Sequence, residues 1–312
     1  MTGTTATPRR DRADDVRRGI ALILLTSVLF AAMNAGVKLL SAHLGTVEIA
    51  FFRQFFSLAP ILGALARQGG VAVLKTDLPI GHLFRGLIGN SAMIVSFLAL
   101  SWLPLADATA LSFTSPLFVT ALSAPLLREA VGPHRWSAVA VGFAGVIVLT
   151  HPGGAWFAHG AGAGTAAGLT AGFMSALMMI TIRQLSRTER PVTIVFYFAG
   201  IGVIFFGCLL PFFWIMPTGW EWAGLLGIGT LGGFSQLAMT GAYRHAPAST
   251  LAPFGYVSIV FSTMFGFALW GELPGPRVLT GAAIVIASGL YIIFREARRQ
   301  RHVVAKSLPG AG

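Results

Sequence analysis

Residues 86–149 recur, in recognisable form, as residues 229–292. A shift of 143 positions carries Gly86 onto Gly229, Gly89 onto Gly232, Pro104 onto Pro247, Glu129 onto Glu272 and Pro133 onto Pro276. The text around these fixed points is alike in kind: PLADATALSFTSPL against PASTLAPFGYVSIV, then REAVGP against GELPGP. An upstream pair, AAMNAGVKLLS around Lys38 and ALMMITIRQLS around Arg183, aligns at a shift of 145. Such a duplication fixes the architecture as two similar units, and in a membrane chain it points to a transporter.

That the chain is a membrane protein follows from its charge content. Only 11% of its 312 residues are charged and 55% are hydrophobic, with a mean hydropathy of +0.75. A soluble domain carries about 25% charged residues, so this chain cannot cover a surface facing water. Spans of about 20 residues each fit ten times into its length and leave short loops, with no room for a soluble domain. The apolar runs fall at 19–40, 47–66, 79–100, 107–126, 134–151, 163–183, 191–215, 222–243, 249–270 and 276–294. The first run exceeds a signal-peptide core of about 7–15 residues and reads as an uncleaved span. The single cysteine, Cys208, excludes an internal disulfide and a cysteine metal pair.

The net charge of +11 sits in loops and tails, which argues against a nucleic-acid partner. With a cytoplasmic N-terminus and ten spans, 19 of the 22 Lys and Arg residues fall on the cytoplasmic side; the rest are Lys38, Arg53 and Arg277. This is the positive-inside bias, and nine or eleven spans destroy it. The expected fold is therefore an all-α membrane protein of ten transmembrane helices. Both termini are cytoplasmic, and the two five-helix repeats are inverted because each holds an odd number of spans. The expected organisation is a basic tail (1–18), a first repeat (19–151), a second repeat (163–294) and a second basic tail (295–312).

These residues resemble the drug/metabolite transporter superfamily in its ten-span form with two EamA-type repeats. The resemblance rests on PLADATALSFTSPLFVTALSAPLLREAVGPHRW and APASTLAPFGYVSIVFSTMFGFALWGELPGPRVLTGAAIVIASGLYIIFRE, with Glu129 and Glu272 at the marker position. It covers roughly residues 19–296. It implies a secondary carrier of the bacterial inner membrane, with a central cavity lined by spans one, three, four, six, eight and nine. The superfamily's cargoes include amino acids, S-adenosylmethionine, riboflavin and drugs.

Polar residues at membrane depth mark the site, because hydrocarbon penalises them unless they face protein or a water-filled cavity. The substrate-binding candidates are Asn34, Arg53, Asn90, Ser91, Thr114, Ser175, Gln236 and Tyr256. Arg53 lies about 9 Å inside its helix end at helical rise; it either pairs with Glu48 or snorkels, or it anchors a substrate carboxylate or phosphate. Pro116 and Pro253 free backbone carbonyls, which suits a cavity wall. The GIGTLG run at 227–232 matches a dinucleotide fingerprint but starts inside a span, so close helix packing is its reading. Gly164, Gly168 and Gly172 form a small-residue strip.

No carboxylate falls in mid-membrane, which disfavours a proton-coupled exporter of lipophilic cations. The favoured reading is a carrier of a neutral, zwitterionic or weakly anionic metabolite that works by exchange or facilitated diffusion. Proton-coupled multidrug efflux through Glu48 or Asp107 is the alternative, and a channel is the rival of another class. No catalytic or cofactor-binding constellation appears, so neither an enzyme nor a cofactor is expected. The sequence leaves export versus import, and the oligomeric state, open.

Overall fold

The computed structural model describes residues 9–127, 132–150, 161–185, 188–246 and 248–307. The described residues are helical, joined by short turns and two 3-10 turns, and contain no strand. A bilayer core offers no water to backbone N–H and C=O groups, so a spanning chain has to satisfy them within its own helices. The helices are α1 (Arg9–Leu40), α2 (Thr46–Arg67), α3 (Pro79–Trp102), α4 (Leu105–Ser112), α5 (Ser115–Leu127) and α6 (Pro133–Thr150). The second half supplies α7 (Ala161–Leu185), α8 (Pro191–Leu209), α9 (Gly219–His245), α10 (Ala248–Gly255), α11 (Ser258–Trp270) and α12 (Pro276–Ser307).

Helix starts and stops follow local chemistry. Pro79 and Pro191 sit in the first turn of α3 and α8, where a missing N–H costs nothing. Thr218 and Glu221 form a reciprocal capping box at the start of α9. Gly271 ends α11 with a φ of 68°, in the left-handed region that suits glycine. Eight segments among the described residues are long and apolar enough to cross a membrane. The expected spans at α6 and α9 are not among them. His134 and Arg135 open the first, and glycines with Ser235 and Gln236 dilute the second.

Expected spans four and nine are each two helices rather than one. The first breaks at Phe113 and Thr114 and the second at Tyr256 and Val257. Pro116 lies just past the first break, without a backbone N–H and with its ring against the preceding turn; Pro253 lies inside α10, just before the second. The breaks occur at equivalent places: a shift of 143 carries α4 onto α10 and α5 onto α11, end for end.

Packing repeats under the same exchange of halves. The first-half helix α1 lies on α9, and its counterpart α7 lies on α3; α1 also packs on α10 and α11, and α7 on α4 and α5. The self-paired contacts are α2 on α8 and α6 on α12. Glycines set these close approaches. A Cβ at Gly86 would lie 2.6 Å from Ile201, and one at Gly281 would lie 2.5 Å from the backbone nitrogen of Leu149. The strip on α7 faces the same way: Gly164 meets Leu103, Gly168 meets Leu111 and Gly172 meets Thr114 at the helix break.

Candidate functional site

The expected site residues fall into two groups. Asn34, Ser91, Ser175 and Gln236 are half-buried, and their side chains make no hydrogen bond to the described residues. They lie on α1, α3, α7 and α9, the helices that pair across the two halves. A Cβ at Gly89 would meet Met178, and one at Gly164 would meet Trp102, so Ser91 and Ser175 sit at closely similar depth.

The others are engaged. Thr114 is fully buried and donates to the Leu111 carbonyl at 2.7 Å, turning inward at the break between α4 and α5. Tyr256 is buried with its ring 4.5 Å from Phe113, which joins the two helix breaks across the halves. Its hydroxyl fills the space left by Gly289.

Asn90 and Arg53 belong to one polar bridge. Asn90 is fully buried and its amide donates to the carbonyls of Gly86, at 2.7 Å, and Phe198, at 3.2 Å. With both donors spent, its oxygen faces α2 and accepts from the Gln54 amide. That fixes Gln54 in turn, and its oxygen accepts from the Arg53 guanidinium at 2.7 Å. Gly202 on α8 makes the room; a Cβ there would lie 2.5 Å from the Asn90 oxygen. Gly232 on α9 does the same for Arg53, since a Cβ there would lie 2.9 Å from Arg53 Nε and 3.2 Å from the Met33 sulfur. Arg53 and the neighbourhood of Asn34 therefore share one depth.

Arg53 is 3% exposed and has no carboxylate partner among the described residues; its Nε–H has no acceptor. The alternative pairing with Glu48 does not form. Glu48 is fully buried and its Oε2 accepts from the Ile215 N–H at 3.3 Å, while its Oε1 has no partner. The sequence pattern does not single out Gln54, because nothing in it shows which polar groups will satisfy one another.

One end of the bundle is latched by charge. Lys38 donates to both carboxylate oxygens of Glu272, at 2.6 and 2.8 Å, and to the Leu103 carbonyl at 3.0 Å. Glu272 also accepts from the Leu105 N–H at 3.2 Å, and the Lys38 ammonium lies 4.9 Å from the Trp270 ring. Beneath the latch α4 packs on α11, with Thr109 donating to Ser262 at 2.9 Å. The equivalent pair at the other end, α5 and α10, shares no comparable interface among the described residues. Glu129, the repeat counterpart of Glu272, lies outside the described residues.

At that other end, the 3-10 turn Gly70–Leu74 is pinned to α8 by Thr193 and Tyr197, which donate to the Val73 and Leu74 carbonyls at 2.8 and 2.9 Å. His82, buried against the Tyr197 ring at 4.5 Å, lies 3.8 Å from Glu189. Arg85 donates to the Ile194 carbonyl at 3.0 Å and lies over Phe198 at 4.7 Å. Arg85 is thus buried with a carbonyl and a ring for partners and its Nε–H without an acceptor, where a count of loop Lys and Arg residues treats it only as a topology signal.

A bundle of paired, duplicated membrane helices with a polar bridge and one latched end has the build of a membrane transporter. The chain belongs to the EamA-like transporter family, which it matches twice, over residues 17–151 and 162–295. It is 32% identical over 280 residues to the pseudopaline exporter CntI of Pseudomonas aeruginosa, covering 88% of this chain and 95% of that one. It is 30% identical over 278 residues to an S-adenosylmethionine uptake transporter of Rickettsia prowazekii, covering 89% and 93%. A riboflavin transporter of Vibrio cholerae matches at 28% identity over 293 residues, covering 92% and 97%. One solved crystal structure shares the fold, with a TM-score of 0.60 at 22% identity over 91% of this chain and 99% of that one. These likenesses point to a transporter of small metabolites rather than to an enzyme.

Proposed function

We propose that the protein is a ten-span secondary transporter of the bacterial inner membrane, with inverted repeats at 19–151 and 163–294 and both tails in the cytoplasm. Its cargo is a small neutral, zwitterionic or weakly anionic metabolite: an amino acid, a riboflavin-like compound or a nucleoside-type cofactor. The relatives' named cargoes, pseudopaline, S-adenosylmethionine and riboflavin, are of this size class. They include an exporter and an uptake carrier, so direction is a matter for measurement. The half-buried Asn34, Ser91, Ser175 and Gln236 offer free amide and hydroxyl groups to the cargo, with Thr114 and Tyr256 shaping the helix breaks beside them.

The observation that carries alternating access is the asymmetry of the two ends. Two repeats of one design pack α4 on α11 yet leave α5 and α10 without a comparable interface among the described residues. In the proposed topology the latched end faces out, so this conformation is shut to the outside and its mirror image is shut to the cytoplasm. Exchange between the two carries the cargo across.

The test begins with a ligand-stability screen of purified protein against amino acids, riboflavin, S-adenosylmethionine and cationic dyes, then uptake of each hit into proteoliposomes. A Thr109→Cys/Ser262→Cys pair oxidised to a disulfide is expected to abolish uptake, and reductant to restore it. Uptake that continues with the pair cross-linked rules the rocking motion out.

Proton-coupled efflux is kept as a second reading by one observation, the fully buried Glu48 with an unpartnered Oε1. If uptake follows an imposed pH gradient and Glu48→Gln abolishes that response, this reading replaces exchange.

A further inference from the structure

We infer that Arg53 is the docking point for a carboxylate on the transported molecule, and that Gln54 and Asn90 position it. This rests on the transporter reading and names the cargo's recognised group. The starting point is a charge that the fold leaves unpaired. Removing an ion from water is costly unless an opposite charge and hydrogen bonds replace its hydration. Arg53 is 3% exposed, yet it receives a single neutral acceptor, the Gln54 oxygen at 2.7 Å. Its Nε–H meets no acceptor, and no described carboxylate pairs with it. A guanidinium in this state has donors to spare in the planar fork that matches a carboxylate.

The surroundings are arranged to hold the guanidinium still rather than to neutralise it. The donors of Asn90 are committed to the Gly86 and Phe198 carbonyls, so only its oxygen is left for Gln54. Gln54 must then present its own oxygen to Arg53. A relay of two amides thus sets the orientation of the charge from α3 and α8, on the far side of α2. On the near side the missing side chain of Gly232 lets the guanidinium lie against α9, and Met33, beside the same glycine, places the neighbouring Asn34 at the same depth. Asn34, half-buried with no partner of its own among the described residues, supplies a donor for the same anionic group or an acceptor for an adjacent amine. A carboxylate beside an amine or an aromatic body satisfies both residues. A cationic dye satisfies neither, and meets repulsion from Arg53.

The test uses purified full-length protein with benzoate and its uncharged isostere benzamide as probes, read by thermal unfolding. Benzoate is expected to raise the unfolding temperature of wild type and benzamide to leave it unchanged. Arg53→Met is expected to fold, to be at least as stable as wild type without ligand, and to lose the benzoate response. Arg53→Lys keeps the charge and loses the fork, so it is expected to bind benzoate more weakly. Asn90→Ala is expected to retain a weakened response, as a positioning residue should. An equal response to benzamide, no response to either probe, or a response that survives Arg53→Met overturns the assignment. So does a large loss of unliganded stability in Arg53→Met, which makes Arg53 a structural group. Because the readout is binding, a protein that binds benzoate through Arg53 but moves no metabolite refutes transport and leaves this assignment standing.

Discussion

The crossing of α2 on α9 and the crossing of α8 on α3 are the same piece of design used twice, with different chemistry. A shift of 145 carries Phe56 onto Ile201, Arg53 onto Phe198, Gln54 onto Ala199 and Ser57 onto Gly202. A shift of 143 carries Gly86 onto Gly229, Gly89 onto Gly232 and Asn90 onto Gly233. The contacts obey both shifts: Gly229 packs on Phe56 as Gly86 packs on Ile201, and Gly232 packs on Arg53 as Gly89 packs on Phe198. Even Asn90 against Gly202 has its reflection, in Gly233 against Ser57. The glycines that let the helices cross are common to both halves. Arg53 and Gln54 on one side, and Asn90 on the other, have apolar or glycine counterparts. Helix crossing needs only glycine, so the extra polarity in the first half serves something other than the crossing.

Putting the charge in the wrong half is the most severe way to break this comparison. Phe198→Arg would bury a further unpaired cation beside Arg85 and is expected to cost about 3–5 kcal/mol, read as loss of folded protein on purification. The reverse change, Arg53→Phe, makes the two crossings alike. It is expected to leave a folded protein whose uptake of a carboxylate metabolite falls roughly 30-fold or more.

Glycine substitutions sharpen the geometric half of the comparison. A Cβ at Gly229 would lie 2.4 Å from Phe56 Cβ and 3.0 Å from the Phe52 carbonyl, so backbone must move. Gly229→Ala should cost about 2–3 kcal/mol in unfolding experiments. Gly86→Ala meets only the Ile201 side chain and should cost about 1 kcal/mol. Gly200→Ala is the steric control: a methyl group there would find nothing within 4 Å, so the helix should gain about 0.5–1 kcal/mol. Asn90→Ala removes the acceptor for the Gln54 amide and should cost about 1–3 kcal/mol. Thr218→Ala strips the capping box from α9 and should cost about 1 kcal/mol.

How far the sequence foretells this depends on the kind of interaction. Repetition at fixed shifts is carried by Gly, Pro and Glu, residues with one dominant backbone or terminal role, and it places the helices along the chain but not which of them pack together. The prolines also mark where spans four and nine yield, although the apolar runs predict single helices through them. Polar residues at depth are visible one by one, but not their partners. Lys38 and Glu272 are 234 positions apart, and Gln54 and Asn90 are 36 apart; neither distance has a periodicity that links them. Arg53 and Glu48, close in sequence on one helix, are the obvious pair and do not meet. Helical phase and the position of α9 decide that, and a single sequence encodes both only through tertiary packing.

The paired breaks at 113–114 and 256–257 bear on how the protein enters a membrane at all. Helices α4 and α10, with 8 residues each, are about 12 Å long at helical rise. A hydrocarbon core of about 30 Å cannot be crossed by either, and pieces so short are barely stable alone. Each has to be delivered to the bilayer together with the 13-residue helix that follows it, as a single apolar unit that bends only after its neighbours arrive. The step that completes the bundle is therefore a late one. Until α1 and α7 close over these segments they stay straight and unpacked, and that stage is where the insertion machinery and quality control would find this chain most vulnerable.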